Sequence, residues 1–193
     1  MAYATTSSSF VNRMIRAARL EIPLYEEVEA DTTATNQALL VVVLGSLAAG
    51  IGNAIGASMS GMANPTGSLI GGIVSALIAW AVWSYVVYLV GTRVVGGTAS
   101  YGELLRTLGF AESPSVLLVL SFIPVLGGIL SLVVGIWMLV TGFIATRQAL
   151  DIDNGKTVVT IVLGIVALLI ALVVIGTIFG ALFGAGLMIG RMM

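Results

Sequence analysis

The sequence predicts an all-α integral membrane protein, a five-helix transmembrane bundle preceded by a short N-terminal amphipathic interfacial helix. The 193-residue chain is 59% hydrophobic and 9% charged, whereas a soluble domain carries about 25% charged residues. Five apolar stretches follow one another, and most of them reach the ~20 residues that cross a ~30 Å hydrocarbon core as a helix. The basic residues gather on one side of this topology, as expected for cytoplasmic loops.

Composition also excludes several classes of function. The chain has no cysteine and no histidine, which rules out thiolate catalysis, disulfides and imidazole metal ligands. We therefore expect no cofactor, no metal site and no enzymatic activity. The eight basic and nine acidic residues nearly cancel, so nucleic acid is not a predicted partner.

Residues 1–36 form the predicted cytoplasmic N-terminal region. From Ser9 onward, apolar residues alternate with Arg13, Arg16 and Arg19 at helical spacing. A basic amphipathic helix of this kind lies in the membrane interface and directs its arginines to anionic headgroups. The alternative is the solvated first turn of a larger helical bundle.

An acidic segment follows Pro23, a residue predicted to end the first helix. Its charges are Glu26, Glu27, Glu29 and Asp31. One interpretation is a docking site for a basic cytoplasmic partner. The other is a solvated acidic linker that balances the preceding arginines.

Residues 37–193 form the predicted transmembrane domain. Its spans are expected at about 37–57, 69–90, 104–123, 125–146 and 157–190. In the first span, Gly52 and Gly56 form a GxxxG pair that allows close helix packing. Asn53 beside them is predicted to hydrogen-bond another helix. In the second span, a cluster of Trp and Tyr residues predicts an aromatic belt at one interface.

The third span is the least regular. The stretch from Ser115 to Ile123 is too short to cross alone, so a full crossing has to include residues before Pro114. Glu112 then lies below the headgroups, where an ionisable group indicates function. The alternatives are that Glu112 caps a half-helix at Pro114, or pairs with Arg93 or Arg106.

The last two spans carry regularly spaced glycines, which predict helix-packing faces. These glycines are Gly128, Gly135 and Gly142 in the fourth span and Gly176, Gly180 and Gly184 in the fifth. The fourth span is predicted to pack through its glycines on the first and last spans. The fifth stretch is long enough for strong tilt or for a break near Gly176. The intervening DIDNG is predicted to be a helix end with a turn at Asn154–Gly155 rather than a calcium loop.

Loop charges predict the orientation. With five spans, seven of the eight basic residues lie on the side of the N-terminus, and only Arg191 lies on the other. We therefore expect a multi-pass protein of the cell membrane with a cytoplasmic N-terminus and a C-terminus on the far side.

Three motifs resemble the Yip domain family, the Ypt/Rab-interacting membrane proteins, and in particular its bacterial or archaeal branch. They are YGELLRTLGFA at 101–111, the PVLGG turn at 124–128, and the fourth-span stretch that runs from Trp137 to ATRQALDID. The resemblance implies five spans after a cytoplasmic start. In the eukaryotic branch of the family, the resemblance is to proteins implicated in vesicle formation and membrane shaping through partner binding and self-association.

Two functions remain in competition. The first is a non-enzymatic scaffold or adaptor of the Yip type, which acts by helix packing, by forming a homo-oligomer, and by contacts with a cytoplasmic protein partner or the lipid bilayer. The second is a transporter or channel for a small molecule or a lipid, in which Glu112 is the near-membrane ionisable group. A cavity that reaches Glu112 would favour the second, and a solid glycine-packed bundle the first.

Overall fold

The computed structural model describes the backbone of residues 9–59 and 66–190, and the side chains of residues 9–59 and 69–179. Seven α-helices and one 3₁₀ segment make up these regions. They are α1 (Phe10–Ala18), α2 (Ile22–Ala30), α3 (Ala34–Met59), α4 (Thr66–Arg93), α5 (Tyr101–Ala111), the 3₁₀ segment (Ser113–Phe122), α6 (Leu126–Ala149) and α7 (Asn154–Gly190).

Five stretches are long and apolar enough to cross a membrane, which confirms the predicted all-α, five-span fold class. They are Ala34–Met59, Leu69–Val95, Tyr101–Phe122, Leu126–Ala149 and Asn154–Phe179. The first begins three residues before the expected start at 37, because Ala34 to Gln37 continue the helix toward the cap formed by α1 and α2. The last is one continuous helix that passes Gly176 without a break.

The N-terminal region is a folded cap rather than a linker. We use the name N-terminal cap for α1 and α2 (Phe10–Ala30). Pro23 lies in the first turn of α2, where its missing N–H costs nothing, so it starts a second helix instead of only ending the first. Leu24, Tyr25 and Val28 are fully buried against α5 and α6. The Tyr25 hydroxyl donates to the carbonyl of Ala17 at 3.2 Å and ties the two helices together.

The third crossing changes its helix type at Glu112. A capping box starts α5, in which Ser100 accepts from the Glu103 backbone and Glu103 accepts from that of Ser100. The helix ends at Ala111, and the chain continues as a 3₁₀ helix with Pro114 in its first turn. A 3₁₀ helix rises ~2.0 Å per residue instead of ~1.5 Å, so this short stretch reaches further into the bundle than an α-helix of the same length.

Glycines on α3 seat the 3₁₀ segment in a parallel orientation. A Cβ at Gly45 would overlap the Ser115 hydroxyl, and one at Gly52 would overlap the carbonyl of Leu118. Further along, Gly56 lies beside Phe122. The two elements therefore run side by side along the length of the 3₁₀ segment.

The turn before α7 lies earlier than the expected Asn154–Gly155. Asp151 takes a left-handed conformation with φ 53°, which is uncommon outside glycine and tolerated best by Asn and Asp. Asp153 then accepts from the backbone N–H of Lys156 at 2.9 Å and caps α7. The helix already includes Asn154, because a capping aspartate at 153 satisfies its first turn.

Candidate functional site

Arg13 joins the N-terminal cap to α3. Its guanidinium lies 2.9 Å from a carboxylate oxygen of Glu27 and 2.9 Å from one of Asp31. It also donates to the side chain of Gln37 at 3.1 Å. Only 7% of the Arg13 side chain is exposed, so this arginine holds the cap together and does not face lipid headgroups.

Arg16 adds a second pair of ion pairs inside the cap. It lies 3.0 Å from Glu21 and 2.6 Å from Glu27. This arrangement differs from the prediction that all three arginines point to the membrane surface. The difference arises because the acidic segment folds back as α2 and brings its carboxylates beside α1. Arg19 alone of the three is exposed and makes no ion pair with the residues that the structure describes.

The four acidic residues of the segment divide into separate roles. Glu27 and Asp31 are used in the ion pairs with the arginines. Glu26 is exposed and accepts from the side chain of Gln148 at 2.6 Å. Glu29 is half-buried, and its Oε2 is buried with no hydrogen bond from the described part of the chain. Of the predicted docking residues, Glu26 is therefore the one that the cap presents outward.

Burial shapes the electrostatics of the inner face of the cap. Burial, with smaller contributions from the nearby charges of Glu26, Asp151 and Glu103, raises the pKa of Glu29 to about 7, while Arg106 opposes the shift. Arg106 donates to the carbonyl of Val28 at 2.9 Å and to that of Glu29. It therefore binds the C-terminal end of α2, where carbonyl groups lack helical partners, and leaves the Glu29 carboxyl unpaired.

An apolar groove lies between α1, the 3₁₀ segment and α6. Val11, Ile15, Arg19, Leu117 and Trp137 are among the residues that line its volume of about 380 Å³. The Trp137 indole donates to the carbonyl of Ala18 at 2.8 Å, at the end of α1. The exposed apolar side of α1 and the unpaired Arg19 thus lie at the mouth of one groove.

Glu112 lines a cavity of about 270 Å³ between α4, α5 and α6. The backbone of Glu112 ends α5 by donating to the carbonyl of Gly109 at 3.2 Å. Its carbonyl accepts from the N–H of Ser115 at 2.9 Å. The side chain shares the cavity with Trp80, Trp83 and Gly142. Of the alternatives for Glu112, the cap is made by its backbone, and the residue also lines the cavity.

No cation among the described residues pairs with the Glu112 carboxyl. The Glu112 carboxyl makes no hydrogen bond and no ion pair with any residue that the structure describes. Arg106, one of the predicted partners, is engaged by the carbonyls of α2. Arg93, the other, is exposed at the end of α4. The cavity therefore contains an unpaired acidic group inside the span.

The packing glycines fall into two groups. Gly52 and Gly56 contact the 3₁₀ segment, whereas a Cβ at Gly128, Gly135, Gly142 or Gly176 would meet no described atom within 4 Å. The fourth-span glycines thus do not contact the first or last span within the described residues, because α6 turns them toward open space. Gly180 and Gly184 lie outside the residues whose surroundings the structure describes.

Asn53 lies at the opposite end of the molecule from the cap. It is exposed in a groove of about 420 Å³, which is also lined by Gly52, Gly56 and Gly128. Residues 121–125 and Gly127 form the other wall of this groove. Within the described chain Asn53 makes no hydrogen bond to another helix.

Sequence reasoning missed three contributors to these sites. Trp80 and Trp83 were interpreted as belt residues, but they line the Glu112 cavity, and no local signal distinguishes these two environments. Gly45 was not among the predicted packing glycines. It precedes Gly52 by seven residues, the same spacing that separates Gly128, Gly135 and Gly142, and this spacing could have identified the 3₁₀ contact.

A known protein-family model matches the part of the chain that contains these sites. The Yip1 domain model matches residues 24–176, a range that begins in α2, includes the Glu112 cavity and ends within α7. No curated protein and no solved structure matches the chain. The match confirms the resemblance drawn from the three motifs. Since it covers well over half of the sequence, the chain belongs to the Yip1 domain family.

Proposed function

We propose that this protein is a non-enzymatic membrane scaffold or adaptor of the Yip type. The observation that carries the proposal is the folded N-terminal cap, which Arg13 and Arg16 hold together through ion pairs with Glu21, Glu27 and Asp31. A preformed surface binds a partner without the ordering cost that a disordered tail would incur. The cap presents Glu26 on its outer side and the Arg19 groove on its membrane side.

The two sides of the cap favour two kinds of contact. Exposed Val11 and Ile15, together with Arg19, fit the interfacial region of an anionic membrane, in which apolar side chains enter the acyl boundary and an arginine meets headgroups. Glu26 and the exposed end of α2 fit a basic surface on a cytoplasmic protein partner. No role for nucleic acid is proposed, because the net charge of the chain is −1.

Site-specific photo-crosslinking tests the partner contact in cells. A photoreactive amino acid at position 26 is expected to cross-link one discrete partner, and the same group at Lys156 serves as the control position. Arg13→Ala, which loosens the cap, should reduce the cross-link at position 26. A cross-link pattern that is the same at both positions and unchanged in Arg13→Ala would remove the adaptor proposal.

Self-association is the second part of the scaffold proposal. Gly128 and Gly135 are exposed on α6. Two nearby leucines on the same helix are also exposed, Leu132 to 66% and Leu139 to 73%. An open glycine face of this kind allows close approach of a second helix. We expect a homo-oligomer by native mass spectrometry from a membrane-like environment, and we expect Gly135→Leu to shift it toward monomer. A monomer in the unaltered protein would contradict this part.

The Glu112 cavity favours a second candidate function, the transport of a small molecule or lipid. An intramembrane carboxyl in a cavity is a feature that transport pathways use. In proteoliposomes, Glu112→Gln should then abolish the flux of a translocated substrate, while Glu103→Gln on the same helix should not. Equal flux in the Glu112→Gln variant would exclude this route.

A further inference from the structure

The Glu112 cavity has the chemistry of a cation site. Glu112 is the one acidic residue in a lining that otherwise consists mainly of aromatic and aliphatic side chains, including Trp80, Trp83 and Met138. An unpaired carboxylate in apolar surroundings is costly, and the described chain supplies no countercharge to it. A ligand that brings a positive charge would remove that cost.

The position of the cavity keeps it within the span. Gly142 precedes Arg147 by five residues, or ~7.5 Å along α6, and Trp83 precedes Arg93 by ten residues, or ~15 Å along α4. Arg147 and Arg93 lie at these helix ends, and neither forms an ion pair with Glu112. A ligand can therefore supply the countercharge that none of the described residues provides.

The walls of the cavity are held in place by contacts on other helices. The Trp80 indole donates to the carbonyl of Leu105 at 3.1 Å. The ring of Trp83 packs near Gly164 of α7, where a Cβ would lie 3.4 Å from the ring edge. Thr141 donates to the carbonyl of Ala111 at 2.7 Å and fixes α6 beside the end of α5. Groups held in this way require little rearrangement when a ligand enters.

We infer that this cavity binds a small organic ammonium ion, with Glu112 as the counter-ion and Trp80 and Trp83 as the aromatic wall. Recognition of quaternary ammonium groups by aromatic side chains is a common use of the cation–π interaction. The inference assigns a class of ligand to the Glu112 cavity, the same cavity on which the proposed transport function rests. It concerns binding alone, so it holds equally for a scaffold that binds such a ligand without moving it.

Other ligand classes fit the cavity less well. A divalent metal ion requires several oxygen or nitrogen ligands, and no group of three acidic, cysteine or histidine residues occurs among the residues searched. An anion would be repelled by Glu112. Pockets for drug-sized ligands have volumes of about 300–1,000 Å³, and the cavity of about 270 Å³ lies below that range.

Gly142 leaves the room that a ligand needs. A Cβ at this position would meet no described atom within 4 Å, although Gly142 lines the cavity. A larger side chain can therefore fill the cavity without a clash in the backbone. Gly72 on α4 is equally open and is not among the lining residues of the cavity, so it provides a matched control.

Calorimetric titration of the full chain in nanodiscs tests the inference. Choline is the probe, and 3,3-dimethylbutan-1-ol, its uncharged isostere, is the control ligand. We expect saturable binding of choline and at least about tenfold weaker binding of the isostere, because a charge-assisted contact is worth that factor or more. Glu112→Gln should weaken choline binding by at least about tenfold, Gly142→Leu should abolish it, and Gly72→Leu should leave it unchanged.

Several results would overturn the inference. These are equal affinity for choline and its isostere, unchanged affinity in Glu112→Gln, and no saturable choline binding by the folded, unaltered protein. Glu112→Asp serves as a second variant if Glu112→Gln does not fold, and it should retain more affinity than Gly142→Leu. Choline binding without substrate flux would remove only the transport candidate, whereas flux without choline binding would remove only this inference.

Discussion

Arg13 belongs to a basic pattern typical of a membrane-surface helix, but its side chain forms ion pairs within the protein. Its guanidinium contacts Glu27, Asp31 and Gln37 and is almost fully buried. A buried arginine is stabilising only when its donors are satisfied. Three acceptors from α2, the following loop and α3 meet that condition, so one side chain connects the cap to the first span.

Removal of this side chain should loosen the cap. We expect Arg13→Ala to destabilise the cap by about 1–3 kcal/mol, because Glu27 and Asp31 lose a partner while they remain partly solvated. Hydrogen exchange of the α1 and α2 amides measures the effect. Arg19→Ala is the matched control and should leave exchange unchanged. Equal exchange in both variants would show that the Arg13 contacts contribute nothing.

Glu29 makes the stability of the cap dependent on pH. Its folded-state pKa of about 7 lies above the ordinary value of 4.5, so the folded state holds the proton more tightly than the unfolded state. The contribution to stability is fully present below pH 4.5 and is lost as the pH rises through about 7.

Amide protection of α2, corrected for intrinsic exchange, should therefore fall between about pH 5 and about pH 8. Glu29→Gln should flatten this profile, since the amide cannot ionise. Glu26→Gln is the comparison, because Glu26 is exposed and contributes only a secondary charge effect. A slope that survives in Glu29→Gln would assign the pH dependence to another group.

At the scale of elements, the contact between α3 and the 3₁₀ segment organises the transmembrane region. Gly45, Gly52 and Gly56 leave space for the backbone of the 3₁₀ segment, whereas the open glycines of α6 do not contact another described helix. Glycine content alone therefore does not identify a packing face. A glycine face becomes a packing face only where another element lies against it.

Gly52→Ala should destabilise the bundle by about 1–3 kcal/mol, a usual cost of overpacking. Its Cβ would overlap the Leu118 carbonyl and the Ser121 hydroxyl, neither of which is the flexible end of a long side chain. Gly72→Ala, at an open position of α4, should have no such cost. Thermal unfolding in detergent compares the two, and equal midpoints would show that the contact is not tight.

Sequence patterns predicted some of these elements well and others poorly. The five spans follow from hydropathy, because a helix in lipid needs a long apolar stretch. The fold of Ile22–Ala30 was not predicted, because a proline and a run of acidic residues are also typical of a linker. The 3₁₀ segment could not be distinguished from a half-helix, since hydropathy does not report the rise per residue.

At the scale of the whole molecule, the predicted orientation awaits a direct test, for which the absence of cysteine is an advantage. A single cysteine at Glu26 and another at Val125, in separate variants, should react with a membrane-impermeant maleimide from opposite sides. We expect position 26 to react only from the cytoplasm and position 125 only from the far side. Reaction of both from the same side would contradict the five-span topology.

The Glu112 cavity also belongs to this scale. It depends on where α4, α5 and α6 bring Trp80, Trp83, Glu112 and Gly142 together, and these residues are distant in sequence. The sequence indicated that Glu112 was unusual, since a carboxyl within a span has few neutral explanations. It could not indicate the aromatic wall, because that requires the relative positions of three helices.

The 3₁₀ segment has a consequence for distance along the membrane normal. Gly45 and Gly56 are separated by ~16.5 Å along α3. Their partners Ser115 and Phe122 are ~14 Å apart in a 3₁₀ helix but only ~10.5 Å apart in an α-helix. The 3₁₀ form, which is the longer of the two, brings both Ser115 and Phe122 beside their glycine partners on α3. The glycine spacing on α3 therefore sets the length of the neighbouring segment. The position of Glu112 along α3, at the start of that neighbour, is thus set by contacts within the protein.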